Sequence, residues 1–212
     1  VNTEELIEAL AGDARRPAAS FSRTWWGAAG LATAMAAVVF FAALEPRPDI
    51  VAAAKTPRFL FKVAVAIILA ASAFGLVRSL SRPGESWRNA MPYLAIVPAL
   101  VLIAVMLELL SVPTRLWLAS LLGVNSMACL AFITLIGLGP LAVVLMVLRY
   151  GAPTKPIFAG AAAGLFAGGI AASLYAVHCP DDSPLFVATW YTLAIAALAL
   201  IGAGAAHRLA RW

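Results

Sequence analysis

The sequence predicts an all-α integral membrane protein: a six-transmembrane-helix bundle with a short amphipathic segment at its N-terminal end. Three observations predict it. Six long apolar runs, at about 25–44, 59–77, 93–112, 127–148, 157–177 and 185–205, each come close to the ~20 residues that a helix needs to cross a bilayer core. Of 212 residues, 63% are hydrophobic and only 12% are charged, which is more apolar surface than a soluble domain of this size can cover. The lysines and arginines gather at the ends of the runs, where such residues fix orientation.

Orientation follows from those charges. With the N-terminus inside, the inner segments hold Arg15, Arg16, Arg23, Arg78, Arg82, Arg88, Arg149, Lys155, Arg208 and Arg211. The outer loops hold only Arg47, Lys55, Arg58 and Arg115, so the majority places both termini in the cytoplasm. The first outer loop is the exception, with three positive residues partly balanced by Glu45 and Asp49. Lys62, just inside the second run, is expected to snorkel outward. The net charge of +5 forms no single patch, so direct binding of nucleic acid is not expected. The chain divides into a cytoplasmic N-terminal partner-binding segment (1–24), a six-helix transmembrane domain (25–205) and a cytoplasmic C-terminal tail (206–212).

Residues 2–12 read as a short amphipathic helix. Asn2 or Thr3 can cap it, Glu4, Glu5 and Glu8 sit at its positive end, and Leu6, Ile7 and Leu10 share one face. A helix of about ten residues is marginal alone. It orders against a partner groove, lies on the lipid surface or stays frayed. Residues 13–24 form a basic hinge from Asp13 to Thr24. The first run is expected to be a retained span rather than a cleaved signal, because the acidic Thr3-Glu4-Glu5 flank and the length of the run fit a signal poorly. Trp25 and Trp26 are expected at the interface, with Trp87, Tyr93, Trp117, Tyr150, Trp190 and Trp212 in the same belt.

Arg82-Pro83-Gly84-Glu85 and the stretch from Gly151 to Pro156 break helices. Pro98 and Pro140 fall inside runs three and four, where neighbouring helices tolerate the kinks they cause. Leu116 to Leu122 reads as a short interfacial helix. Gly160, Gly164, Gly168 and Ala172 give run five small-xxx-small spacing, a face along which another backbone comes close, most simply within the same chain. Glu108 is the one carboxylate inside a run. Near the outer end of span three, it is expected to be solvated or paired with Arg115. Ser183 is expected to cap the sixth helix, with Pro184 at its first position.

Cys129 and Cys179 fall at the same depth, on the outer side. There they can form a disulfide, bind a soft metal transiently with His178, Asp181 and Asp182 offering additional ligands, or remain separate buried thiols. No phosphate-binding glycine loop, zinc signature or nucleophile–base arrangement points to an enzyme, and no cofactor is expected. The alternative class is a small membrane transporter or channel subunit, against which stands the absence of any charge at mid-depth.

The stretch from Thr3 to Arg15, the phrases Arg47-Pro48-Asp49 and Arg149-Tyr150-Gly151-Ala152-Pro153, and above all Tyr175-Ala176-Val177-His178-Cys179-Pro180-Asp181-Asp182-Ser183-Pro184-Leu185-Phe186 followed by Trp190-Tyr191 resemble the NrsF family. These are bacterial six-span membrane proteins that act as anti-sigma factors. The resemblance extends from the first residues to Arg211-Trp212. It implies a negative regulator in the inner membrane that holds an extracytoplasmic-function sigma factor away from RNA polymerase. By position, Leu6, Ile7 and Leu10 would supply apolar contacts to that partner, and Glu4, Glu5, Glu8 and Asp13 charged ones. Cys129 and Cys179 would be the sensing thiols, responding to metal or oxidation.

Overall fold

The structure, a computed structural model, describes residues 2–5, 7, 21–82, 87–151, 153 and 155–209. Its main body is six helices long and apolar enough to cross a membrane. We label them α1 (Phe21–Ala43), α2 (Pro57–Leu80), α3 (Met91–Ser111), α4 (Ser126–Tyr150), α5 (Pro156–His178) and α6. The last comprises Pro184–Phe186, a π-helical turn Val187–Tyr191 and Thr192–Leu209. Short turns join them: Ile50–Ala53 before α2, Trp87–Asn89 before α3, and Thr114–Leu116 with Trp117–Leu122 before α4. The last of these is a short helix where the sequence predicts one, at Leu116 to Leu122.

The central element is α5. It packs most heavily on α6 and α2, and next on α4. Its small residues are the cause. A Cβ added at Gly160 would fall on the backbone of Gly202, and one at Gly164 on the backbone of Leu198 and Ala199. The small-xxx-small face is therefore spent inside the chain, where two helix backbones nearly touch. One face of α1, Trp25, Ala28, Ala32, Ala36 and Phe40, is buried, and the helix packs mainly on α4. The opposite faces carry bare apolar side chains, such as Val38, Leu110 and Leu200, as lipid-facing surfaces do.

Two expectations change here. The first helix starts at Phe21, so Phe21 to Thr24 belong to α1 and not to a hinge. The arginine of Arg82 lies 4.2 Å over the ring of Phe21, which ties that start to the end of α2. Trp26 is exposed, as an interfacial anchor should be, but Trp25 is buried against Phe21 and Phe74. Neighbouring residues on a helix point about 100° apart, so Trp25 falls on the buried stripe of α1 with Ala28 and Ala32 while Trp26 turns out of it.

Helix α3 is the outlier. Its only buried residue is Glu108, and it leans about equally on α2 and on the first turns of α6. The polar part of this attachment lies at one end.

Candidate functional site

Each loop at one end of the bundle is tied to the segment 178–185, which links α5 to α6. The sequence explains why this segment stays irregular. Pro180 and Pro184 prevent helix continuation, and Pro184 begins α6 at a position where its missing N–H costs nothing. The carbonyls and carboxylates left between the two helices need donors, and three separate elements supply them.

The first loop supplies Arg47. Its backbone N–H donates to the carbonyl of Val177 at 3.1 Å. Its guanidinium forks onto Asp49 through Nε and Nη2, at 2.7 Å each, and Nη1 reaches Asp182 at 2.8 Å. Fork-shaped pairing of this kind is the strong form of the arginine–carboxylate contact. The Asp49 hydrogen bond, with Asp182 behind it, holds Arg47 charged far above its ordinary range, and Arg47 in turn lowers the carboxyl of Asp49. In the same loop, the carbonyl of Glu45 lies 2.6 Å from His178 Nδ1.

The second helix supplies Lys62, only 1% exposed. Its Nζ donates to the carbonyl of Cys179 at 2.7 Å and to that of Asp181 at 3.3 Å, and it pairs with Asp182 Oδ1. The lysine reaches into protein at this end of the bundle rather than into water. A buried ammonium persists only with such partners.

The segment before α4 supplies amides. Gly123 adopts φ +56°, the left-handed region that suits glycine, and a Cβ there would strike the ring of Phe186. The chain then presents the N–H groups of Val124 and Asn125 to the Asp181 carboxylate, at 3.0–3.3 Å. An acid at the start of a helix is favoured by the helix dipole. Trp190 on α6 closes the same corner by donating Nε1–H to the carbonyl of Leu121 at 2.9 Å.

Glu108 corrects two expectations. It does not pair with Arg115 and it is not solvated: it is 3% exposed, and its cation is Arg58, 3.6 Å from Oε1. Its Oε2 accepts from Ser183 Oγ and from the backbone N–H of Leu185, both at 2.9 Å. Ser183 does occupy the capping position of α6, yet its side chain makes no cap. Its hydroxyl donates a hydrogen bond to Glu108 instead, and Glu108 on α3 caps α6 from outside. That carboxylate ties α3 to the start of α6.

The two thiols sit beneath this knot. Cys129 is in the first turn of α4 and Cys179 directly follows α5. Both are 0% exposed, both are free, and both belong to one buried cluster. Burial raises the Cys179 thiol well above its ordinary value, with the Lys62 charge opposing in part, so the reactive thiolate is scarce. The additional metal ligands expected from sequence are engaged elsewhere: His178 with Glu45, Asp181 with the amides, Asp182 with Arg47 and Lys62. Among the described residues no group of three or more histidines, cysteines and acids is placed to hold a metal. The donors therefore do not form a ready-made metal centre.

At the N-terminal end, Thr3, Glu4, Glu5 and Ile7 are helical and exposed, Ile7 by 60%. Leu6, Glu8, Leu10 and Asp13 lie outside the described residues. Sequence reasoning missed the roles of Arg47, Lys62 and Arg58. The signal was present in the three positive charges of the first loop, which the charge count expected to carry few, since two of them, Arg47 and Arg58, meet acids on other segments.

Compared with known proteins, residues 10–212 match the family described as negative regulator of sigma F, NrsF. The chain is 38% identical, over the full length of both proteins, to the anti-sigma-F factor NrsF of Caulobacter vibrioides. It is 33% identical, again over both full lengths, to a probable anti-sigma-F factor NrsF of Azospira oryzae. No solved structure matches it.

Proposed function

We propose, from the premise that this chain belongs to the NrsF family, that it is an anti-sigma factor holding an extracytoplasmic-function sigma factor at the bacterial inner membrane. The observation that carries this is the end-to-end similarity to two proteins named as anti-sigma-F factors. Residues 1–24 and 206–212 face the cytoplasm, where the majority of lysines and arginines belong. The apolar face of Leu6, Ile7 and Leu10 seats in the sigma factor, and Glu4, Glu5, Glu8 and Asp13 meet its basic residues. A short amphipathic segment with little stability of its own suits capture by a partner groove.

The ion-paired knot and the thiols face the periplasm in this reading. Release starts there. Oxidant or soft metal reaches Cys129 and Cys179 only once the 178–185 segment has lifted, because both sulfurs are fully covered. A disulfide or a metal–thiolate bond then prevents the segment from settling back. The knot joins the first loop, α2, α3 and the start of α4 to the connection between α5 and α6, so its loss loosens these elements at that end of the bundle. Interfaces of packed helices switch between discrete arrangements rather than bending continuously, and this carries the change to the inner end.

The test is retention of the sigma factor by the full-length membrane protein. Affinity purification from bacterial membranes should recover a sigma factor with the natural chain and lose it with Leu6→Asp and Leu10→Asp. Recovery of equal amounts with the double variant would reject residues 1–24 as the holding segment.

A further inference from the structure

Between α3 and the face formed by α2, α5 and α6 lies a cavity of about 490 Å³, within the range of small-molecule sites. Its walls are almost wholly apolar, with Val101 and Val105 from α3 facing Val187 and Ala188 from α6. Three polar residues also line it, Thr192 with its small hydroxyl and two that are buried. Lys62 is one, the cation of the knot above. Tyr191 is the other: it is 3% exposed, and its hydroxyl has no hydrogen-bond partner. The other two buried side-chain oxygens without hydrogen bonds, on Glu108 and Asp182, each have an ion-pair partner. Among the described residues the Tyr191 hydroxyl alone is left with neither. A buried hydroxyl without a partner costs free energy, and native structures seldom tolerate it. The wall at this point is the π-helical turn Val187–Tyr191, a rare distortion that concentrates at functional sites. The opposite wall is α3, the helix held by Glu108 and otherwise poorly buried.

We propose that this cavity binds a membrane-dissolved molecule with an apolar body and an uncharged carbonyl or hydroxyl group that hydrogen-bonds Tyr191. The ligand is uncharged because the one cation present already has Asp182, and the rest of the lining offers no counter-charge. It enters sideways from the bilayer past α3, whose thin packing makes it the movable wall. Isoprenoid quinones and acyl alcohols share this chemistry. The site shares Lys62 with the knot, so occupancy bears on the same segment that covers the thiols. The binding itself does not depend on the sigma-factor reading.

The experiment is photolabelling of the full-length protein in liposomes with a long-chain alcohol bearing a diazirine near its hydroxyl. Saturable labelling of 97–105 and 187–192 is expected. Tyr191→Phe removes one oxygen and leaves the packing intact, and it should lower saturable labelling about fivefold, the equivalent of one hydrogen bond of ~1 kcal/mol. Val101→Trp fills the space and should abolish it, with helical content and melting checked in both variants. Displacement by decylubiquinone and not by decanol identifies a quinone-type head; displacement by decanol alone identifies an acyl alcohol. Labelling that does not saturate, spreads over Leu107, Leu110 and Leu200, and is unchanged by both variants overturns the proposal.

Discussion

Replacing Asp182 with asparagine removes the negative charge on which the knot is centred while keeping nearly the same shape. Lys62, whose side chain is 0% exposed, would then be a buried cation with only carbonyl partners, and Arg47 would lose one of its two carboxylates. Removing one member of a buried pair costs 3–5 kcal/mol. Asp182 is 18% exposed and Lys62 keeps the carbonyls of Cys179 and Asp181, so the lower end applies, about 3 kcal/mol. That energy opens the 178–185 segment rather than unfolding the spans. At 1.36 kcal/mol per decade, opening becomes roughly a hundredfold more frequent. The assay is the rate at which Cys179 reacts with a maleimide in a Cys129→Ala background, in liposomes and with reagent in excess. Asp182→Asn should react roughly a hundredfold faster than the parent. Lys62→Met combined with Asp182→Asn, which leaves no stranded charge, should bring the rate most of the way back. A rate in Asp182→Asn equal to the parent's would refute the view that this ion pair keeps the thiols covered.

Other outcomes follow from the same contacts. Gly160→Leu must push α5 off the backbone of Gly202 and should destabilise the bundle by 3 kcal/mol or more, at the upper end of overpacking costs of about 1–3 kcal/mol; Gly204→Ala meets open space and should leave thermal unfolding unchanged. Glu108→Ala strips the cap from α6 and the anchor from α3, a loss of about 2 kcal/mol. Glu108→Gln keeps an acceptor and loses only a pairing to half-exposed Arg58, worth under about 1 kcal/mol, so chemical denaturation should rank the two clearly. For Cys179, the folded thiol holds its proton more tightly than the unfolded one. The folded state thus binds more protons once pH exceeds the unfolded value near 8.5, and stability should fall as pH rises from there toward the folded value. Replacing Cys179 by serine should flatten that decline; an unchanged slope would show that another group titrates.

The six spans were legible in the sequence because a bilayer imposes length and polarity on each helix separately. The short helix before α4 and the glycine face of α5 were legible for a related reason, since both are written in consecutive or regularly spaced residues. What lay beyond the sequence is everything that depends on which helix stands beside which. Trp25 and Trp26 carry the same local signal, and only the way α1 packs on its neighbours decides that Trp25 is core. Glu108 lies nearer in sequence to Arg115 than to Arg58 or Ser183, and the true partners come from α2 and from the start of α6. Lys62, Arg47 and Asp182 are separated by more than a hundred residues at their furthest, yet charge counting already marked the first loop as anomalous. An unexplained charge in that loop was thus the usable clue. The π-helical turn in α6 has no comparable signature in Val187 to Tyr191.

The central claim is that a knot at one end of the bundle governs what the N-terminal segment holds at the other. The direct measurement is the share of sigma factor that sediments with membranes in cells carrying the natural chain, Asp182→Asn, or Lys62→Met with Asp182→Asn, at matched protein levels. Release into the soluble fraction by the single variant, and return to the membrane with the charge-free pair, is the predicted result. A sigma factor that stays on the membrane in all three would contradict the coupling.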